Sequence, residues 1–185
     1  MKYAAIVLAA GRGERFGGNK LQALLNGRSL LEHAIGLALA APVETVVVVT
    51  RPGTVLPDEP RLRAVELPSA CLSESLRAGL AHTGDPDGAF IFLGDMPLIP
   101  QGTAEALAAA IGSAVAAFPM HGDVPGHPLL LARRGFALAD ELVGDEGIGR
   151  MLRARDDVVR LPTTDCGVIA DVDTKSALAA LQQRR

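Results

Sequence analysis

The chain has 185 residues, of which 49% are apolar and 21% charged, and its formal net charge at pH 7 is −3. This length predicts one domain covering residues 1–185, and the apolar content excludes an intrinsically disordered chain. The negative charge disfavours a nucleic-acid partner, because such partners are bound by clustered Lys and Arg.

Short apolar runs rich in β-branched residues alternate with longer segments spaced like amphipathic helices. This alternation is typical of a mostly parallel sheet with helices on both faces. The predicted strands, in chain order, are residues 3–10, 44–50, 63–67, 89–93, 114–120, 128–131 and 158–162. With helices between these strands, the sequence predicts an α/β fold, a three-layer α/β/α sandwich.

Capping residues and turn signals locate three of the helices. Ser29 opens an S-x-x-E capping box, Ser73 is predicted to cap a helix that runs to residue 82, and Thr174 is predicted to cap the last helix. The Asn-Gly pair at residues 26–27 is a turn signal. The segment before that pair is therefore predicted to be short and extended rather than helical.

A glycine-rich loop follows the first predicted strand and carries the strongest chemical signal in the chain. Residues 11–20 contain four glycines, two arginines and Lys20. Glycine lets successive backbone N–H groups turn toward an anion, and the three cations offset the negative charge of a triphosphate. The loop therefore predicts a binding site for a polyphosphate.

Two common phosphate loops do not fit this pattern. A P-loop needs Lys and then Ser or Thr directly after its second glycine, whereas here Asn19 intervenes and Leu21 stands where the hydroxyl residue is required. A Rossmann fingerprint opens directly into a helix, whereas here the third glycine is late, at Gly17, and the next helix is predicted at Ser29. Arg51, after the second strand, leaves an NADP site open, because arginine there can hold a 2′-phosphate.

Cysteine usage and hydropathy bear on the compartment. Cys71 and Cys166 lie far apart and outside any C-x-x-C pair, so no disulfide framework is expected. The apolar runs at residues 3–10 and 46–49 are far shorter than the roughly 20 residues that span a bilayer. The first run also leads into the glycine-rich loop rather than into a signal-peptide cleavage site. We expect a cytoplasmic protein without a membrane partner.

Two acidic positions are candidate metal ligands. Asp95 follows the predicted strand at residues 89–93, and open α/β sheets bind ligands at the carboxyl ends of their strands. Mg²⁺ needs only one or two carboxylates beside waters and phosphate oxygens. Asp171 and Asp173 lie on one side of an extended segment before the last helix. Asp171 is favoured as the second metal contact, while Asp173 could instead serve the helix N terminus through its charge.

Several motifs resemble, in their order along the chain, those of one protein family. They are Leu8-Ala9-Ala10-Gly11-x-Gly13-x-Arg15-Phe16-Gly17-Gly18-Asn19-Lys20-Leu21, Leu72-Ser73-Glu74-Ser75-Leu76-Arg77-Ala78-Gly79, Gly94-Asp95-Met96-Pro97, Gly126-His127-Pro128, Gly144-Asp145-Glu146-Gly147 and Asp171-Val172-Asp173-Thr174. Together they resemble the MobA-like nucleotidyltransferases and, within that family, the molybdenum cofactor cytidylyltransferases. The resemblance covers nearly the whole chain and implies a Rossmann-like sheet of the nucleotide-diphospho-sugar transferase type.

The resemblance also implies a role for most of these motifs. The catalytic residues would be Arg15, Lys20 and Asp95, with Asp95 as the Mg²⁺ ligand. The nucleotide would contact Leu8, Ala9, Ala10, Gly11, Arg12, Gly13, Lys20, Ser73, Ser75 and Gly94. The acceptor would contact Gly126, His127 and Pro128.

The implied reaction transfers CMP from CTP to the terminal phosphate of molybdopterin or molybdenum cofactor and releases pyrophosphate, with Mg²⁺ as the cofactor and transient contact with a molybdenum hydroxylase. Ala10 favours CTP, because guanylyl members of the family show glycine there. Cys71 and Glu74 depart from the family pattern, which bears on the base contacts. The open alternatives are GTP or another phosphorylated acceptor, an NADP-binding reductase, and a non-catalytic cofactor carrier.

Overall fold

The protein is described here by a computed structural model that covers residues 1–11, 13, 16–68 and 71–183. Its strands are β1 (Tyr3–Ala9), β2 (Leu24–Leu25), β3 (Arg28–Ser29), β4 (Thr45–Thr50), β5 (Leu62–Glu66), β6 (Gly88–Leu93), β7 (Ala116–His121), β8 (Val124–Pro125), β9 (Leu129–Ala132) and β10 (Val158–Thr163). Its α-helices are α1 (Leu30–Ala40), α2 (Leu72–Ala81), α3 (Thr103–Ala110), α4 (Ile148–Arg153) and α5 (Lys175–Gln183). Within these ranges no helix has the length and apolar character needed to cross a bilayer.

The central sheet is mostly parallel, which confirms the predicted α/β class. Its strand order is β10-β7-β9-β6-β1-β4-β5, and β8 pairs with β7. β1 runs parallel to both β4 and β6, while β9 runs antiparallel to β6 and β7. Because β9 is reversed, the residues that lead into it lie at the carboxyl end of β6.

Helices cover both faces of the sheet and explain why its strands are continuously apolar. Alternate residues of β1 and β4 point to opposite faces. Ala5 and Val48 pack in the cluster that contains α1 and α3, whereas Ile6 and Val47 pack in the cluster that contains α2 and α4. All four side chains are fully buried. A strand covered on both faces needs apolar residues at every position, and this produces the runs seen in the sequence.

Two predicted element boundaries require correction. Helix α2 begins at Leu72 with Cys71 as its N-cap, not at Ser73. The reason is that the Glu74 carboxylate accepts a hydrogen bond from the Cys71 backbone N–H at 3.2 Å, which fixes the N-cap two residues before the predicted one. The segment after Lys20 is extended as predicted only at Leu24–Leu25, whereas Lys20–Gln22 forms a 3₁₀ turn.

The turn predicted at residues 26–27 is confirmed. Asn26 and Gly27 have φ angles of 52° and 82°, and they connect the short antiparallel strands β2 and β3. The capping box at Ser29 is also present: its hydroxyl accepts from the Glu32 N–H at 3.1 Å, and its own N–H donates to the Glu32 carboxylate at 2.7 Å. Thr174 caps α5, since its hydroxyl accepts from the Ala177 N–H at 3.1 Å.

Candidate active site

The segments that follow β1 and β6 meet at the carboxyl edge of the sheet. The Gly94 N–H donates to the Leu8 carbonyl at 3.0 Å, which ties the end of β6 to the end of β1. The Val172 N–H donates to the Asp95 carbonyl at 3.0 Å, which brings the segment before α5 to the same place. Three motifs that are distant in sequence therefore come together at one edge.

Lys20 is the central side chain of this edge. Its ammonium lies 2.8 Å from the Asp95 carboxylate and 2.7 Å from the Asp173 carboxylate, and the residue is only 8% exposed. Burial alone would lower the pKa of Lys20, but the hydrogen bonds to Asp173 and Asp95 outweigh it and raise the pKa above its ordinary value. Lys20 is therefore a fixed, fully charged cation.

The backbone of the glycine-rich loop is shaped around Lys20. Gly13 has a φ of +59°, and a Cβ atom at this position would lie 2.9 Å from the Lys20 Cβ. Only glycine allows both this backbone conformation and this close approach. Arg12 and Arg15, which the sequence analysis assigned to nucleotide binding and catalysis, lie outside the described residues.

A polar cavity of about 170 Å³ opens between the loop and the ends of β1 and β4. It is lined by Leu8, Ala9, Gly11, Gly13, Asn19, Lys20, Leu21, Gln22, Thr50, Arg51, Thr54 and Asp95. Two of these residues are cationic and one is acidic. Backbone amides of a glycine-rich loop combined with Lys and Arg form a site for an anion.

The donor set beside Lys20 fits a hard divalent cation. Asp95 and Asp173 both direct a carboxylate oxygen at the same ammonium, so one cation can contact both. The chain within the described ranges has no group of three or more His, Cys, Asp and Glu that could enclose a metal. Mg²⁺ does not need such a group, because it binds through one or two carboxylates and completes its shell with water and phosphate oxygens.

The second acidic candidate from the sequence lies elsewhere. Asp171, which was favoured over Asp173 as a metal contact, has an exposed side chain, whereas Asp173 shares Lys20 with Asp95. The structure therefore places Asp173, and not the favoured Asp171, in contact with Lys20 beside Asp95.

The first turn of α2 is already satisfied by protein groups. Ser73 and Ser75 are 0% and 4% exposed; the Ser75 hydroxyl donates to the Cys71 carbonyl at 3.0 Å, and the Ser73 hydroxyl lies 3.2 Å from the Cys71 sulfur. The Leu72 N–H donates to the Asp145 carboxylate at 3.2 Å. Both hydroxyls predicted to meet the nucleotide are thus used within the helix.

A second, more apolar cavity of about 260 Å³ lies on the other side of β6, beside β9. Its walls include Leu72, Leu76, Ile91, Leu93, Phe118, Gly126, His127, Leu129 and Ile148, and Arg150 and Arg153 also line it. Pro128, the third predicted acceptor residue, lines a different cavity on the opposite face together with Phe92 and Ile99. Gly126 and His127 are therefore together, and Pro128 is separated from them.

His127 is the polar group inside this second cavity. Its Nδ1 donates to the Ile91 carbonyl at 3.3 Å, so in the neutral ring Nε2 carries the free lone pair. Burial lowers the pKa of His127, while the Ile91 hydrogen bond and the Asp95 charge act in the opposite direction. Gly126, just before His127, packs so closely against the Val168 carbonyl oxygen that a Cβ atom at this position would clash with it.

Of the remaining residues predicted to contact the nucleotide, some line the polar cavity and one is buried in the core. Leu8, Ala9, Gly11 and Gly13 line the polar cavity. Ala10 is 4% exposed and packs in the core beneath α2. Thr50 has no predicted site role, and its hydroxyl is buried at the end of β4. Its position just before Arg51 at a strand end is the sequence signal that could have indicated a role.

Comparison with known proteins identifies the family. Residues 5–158 match the family model described as MobA-like NTP transferase domain. The chain belongs to this family. A probable molybdenum cofactor guanylyltransferase from Thermococcus sibiricus is 33% identical over 104 residues, which are 51% of this chain and 48% of that protein. The match thus spans about half of the relative's length.

Solved structures share the fold over the whole chain. Rv0371c from Mycobacterium tuberculosis superposes with a TM-score of 0.85 at 23% identity, covering 100% of both chains. Its homologue from Mycobacterium sp. strain JC1 also gives 0.85, at 26% identity and 100% coverage of both chains. Rv0371c has further been solved in complex with manganese, with a TM-score of 0.82, 23% identity and 100% coverage of both chains. The chain therefore shares its fold with these proteins over its whole length.

Proposed function

We propose that this protein transfers CMP from CTP to the terminal phosphate of molybdopterin or molybdenum cofactor and releases pyrophosphate. The observation that carries the proposal is the contact of the buried Lys20 ammonium with Asp95 and Asp173 beside the glycine-rich loop. A fixed cation, two carboxylates and loop amides are the groups that phosphoryl-type transfer requires. We further propose that residues 1–185 act as one transferase domain.

In the proposed reaction, an acceptor phosphate oxygen attacks the α-phosphorus of CTP. A new P–O bond forms there, the bond between the α-phosphorus and the bridging oxygen breaks, and pyrophosphate leaves with that electron pair. The nucleophile is already anionic, so the protein needs no general base and acts by positioning and charge neutralisation. Lys20 donates hydrogen bonds to phosphate oxygens, and the Gly11 and Gly13 amides line the same cavity.

Mg²⁺ is the proposed cofactor, and Asp95 and Asp173 would hold it. When bound, the metal neutralises charge on the phosphates and favours departure of pyrophosphate. The manganese complex of Rv0371c supports a divalent cation in this fold. Lys20 contacts both carboxylates as well, so it would share them with the metal.

The apolar cavity beside β9 is the proposed acceptor site. Leu76 and Phe118 provide flat and apolar walls for a ring, and the free Nε2 of His127 can accept a hydrogen bond from a ring N–H. Arg150 and Arg153 supply positive charge for the acceptor's phosphate at the same cavity. The cavity adjoins Asp95 through Leu93, which brings an acceptor phosphate to the metal side of the edge.

GTP is the second candidate nucleotide. Ala10, at the position where guanylyl members carry glycine, supports CTP. The Thermococcus relative, a probable guanylyltransferase, supports GTP, although the match covers about half of its length. We also propose transient contact with a molybdenum hydroxylase, which would receive the product.

A turnover assay tests the proposed function. The protein is supplied with Mg²⁺, molybdenum cofactor and each of the four nucleoside triphosphates, and released pyrophosphate is measured. We expect release with CTP, and we expect Lys20→Ala to lower the rate about a hundredfold, since a charged contact in a water-excluded site contributes about 3 kcal/mol. Lys2→Ala, at an exposed lysine before β1, is the matched control and should retain the rate.

The assay also separates the alternatives. Release with GTP alone would replace CTP by GTP and leave the reaction type in place. No release with any nucleotide, together with tight binding of molybdenum cofactor, would instead mark a carrier. Full activity of Lys20→Ala would contradict the assigned role of the loop.

A further inference from the structure

Thr50 has a buried hydroxyl at the end of β4. The residue is 1% exposed, and none of the described residues forms a hydrogen bond with its Oγ1. Leaving a buried polar group without a partner is unfavourable. Such a group is expected to gain its partner from a ligand, and Thr50 lines the polar cavity that contains Lys20.

Arg51 adds a positive charge next to this hydroxyl. It also lines the polar cavity, its side chain is exposed, and it forms no ion pair within the described part of the chain. A turn over Pro52 and Gly53 fixes its backbone: the Thr54 N–H and hydroxyl donate to the Arg51 carbonyl at 3.2 and 2.8 Å. Thr50 and Arg51 thus offer a hydroxyl and a guanidinium from one rigid strand end.

The order of strands decides which part of the nucleotide reaches these residues. Along the sheet edge, β9 with His127 comes first, then β6 with Asp95, β1 with the glycine-rich loop, and β4 with Thr50. At a strand spacing of about 4.8 Å, Thr50 lies roughly 10 Å from Asp95, on the side opposite the apolar cavity.

In-line transfer requires the attacking and leaving oxygens to lie on opposite sides of the phosphorus. If the acceptor occupies the apolar cavity beside β9, the leaving pyrophosphate must point toward β1 and β4. The polar cavity there is lined by Gly11 and Gly13 of the glycine-rich loop and by the cations Lys20 and Arg51. It suits a phosphate tail.

We propose that Thr50 and Arg51 form a second phosphate-binding element, contributed by the end of β4, that binds the terminal phosphates of the nucleotide and the leaving pyrophosphate. This inference rests on the proposed function for the direction of transfer. The Thr50 hydroxyl donates to a phosphate oxygen, and the Arg51 guanidinium pairs with the terminal charge.

Isothermal titration calorimetry with Mg²⁺ and inorganic pyrophosphate tests this inference without turnover. We expect Thr50→Val and Arg51→Ala each to weaken pyrophosphate binding by about tenfold to a hundredfold, the loss typical of a hydrogen bond to a charged group. Thr45→Val, at the other end of β4, and Arg63→Ala, on β5, are matched controls and should bind as the wild type does.

Thermal unfolding of the ligand-free protein separates a binding role from a structural one. Because the Thr50 hydroxyl has no partner among the described residues, Thr50→Val should unfold at the wild-type temperature or higher. A clearly lower unfolding temperature would overturn the inference, since it would mean that the hydroxyl stabilises the fold. In turnover, both variants should raise KM for the nucleotide while KM for the acceptor is unchanged.

The outcomes distinguish the inference from the proposed function. If the wild type turns over and both variants bind pyrophosphate as tightly as it does, the inference is overturned but the proposed function stands. If the wild type shows no turnover but Thr50→Val weakens its pyrophosphate binding, the inference is supported and the proposed function is contradicted. Binding of NADPH that depends on Arg51, without binding of pyrophosphate, would assign the phosphate contact to a 2′-phosphate and overturn both.

Discussion

At the scale of single residues, Lys20 combines two requirements that usually conflict. A cation in a nearly closed site loses hydration, and this loss favours the neutral form. Asp95 and Asp173 reverse that tendency, so the amine is charged before any ligand arrives. The same two carboxylates are the proposed metal ligands, so Lys20 and the metal would share them.

His127 gives a prediction on pH. Burial lowers its pKa in the folded protein below the ordinary value of about 6.5 that applies in the unfolded chain. As the pH falls below about 6.5, the unfolded chain takes up a proton that the folded protein does not, so the free energy of unfolding decreases. We expect urea unfolding between pH 7 and pH 5 to show a flatter decrease for His127→Gln than for the wild type. Equal slopes would contradict the account of this histidine.

At the scale of elements, the two residues that depart from the family pattern, Cys71 and Glu74, lie together at the start of helix α2. Cys71 and Glu74 form the start of the helix, where the Glu74 side chain accepts from the Cys71 N–H. Together with Asp145, which accepts from the Leu72 N–H, they supply partners for amides that would otherwise face a ligand. The helix terminus therefore serves the fold in the ligand-free protein.

The packing of α2 on the sheet gives a prediction of stability. A Cβ on Gly79 would lie 2.6 Å from Ile6 Cγ2 and 3.2 Å from Val49 Cγ2, whereas a Cβ on Gly149, in α4, would meet nothing within 4 Å. We expect Gly79→Ala to lower the free energy of unfolding by about 1 to 3 kcal/mol through overpacking. Gly149→Ala should raise it by up to about 1 kcal/mol, because alanine favours helix. Urea unfolding measures both, and a stable Gly79→Ala would show that this contact is not tight.

The sequence predicted the elements that depend on local patterns. The buried runs of β1, β4 and β6, the Ser29 capping box and the turn at residues 26–27 all follow from rules that act over a few residues. The start of α2 was misplaced because cysteine is not an expected cap. The 3₁₀ segment Arg133–Glu141 and helix α4 were not placed from the sequence, since short helices depend on tertiary packing.

The candidate site was predictable only where one motif carried its own signal. The glycine-rich loop and Asp95 could be found because each follows an apolar strand. The contact of Asp173, rather than Asp171, with Lys20 could not be predicted, because it joins segments about 150 residues apart. The internal hydrogen bonds of Ser73 and Ser75 could not be predicted either, since a serine at the start of a helix can face either the ligand or the protein.

At the scale of the whole molecule, the sheet orders the proposed chemistry along one edge. The apolar cavity lies beside β9, the carboxylates lie at β6, the loop follows β1, and Thr50 ends β4. Among the described strands of that path, β9 alone runs antiparallel to its neighbours, β6 and β7. Because β9 is reversed, His127, which lies just before it, comes beside the end of β6. In the proposed reaction, this arrangement would place the acceptor and the leaving group on opposite sides of the proposed metal site.

The binding of Mn²⁺ in the presence of CTP or GTP, followed by electron paramagnetic resonance, tests the central claim most directly. It compares the wild type with Asp95→Asn, Asp173→Asn and, as the matched control, Asp171→Asn. We expect Asp95→Asn and Asp173→Asn to weaken binding of the metal with nucleotide by about tenfold or more, and Asp171→Asn to bind as the wild type does. Wild-type affinity in Asp95→Asn, or a loss confined to Asp171→Asn, would contradict the claim that Asp95, Asp173 and Lys20 form the metal and phosphate site.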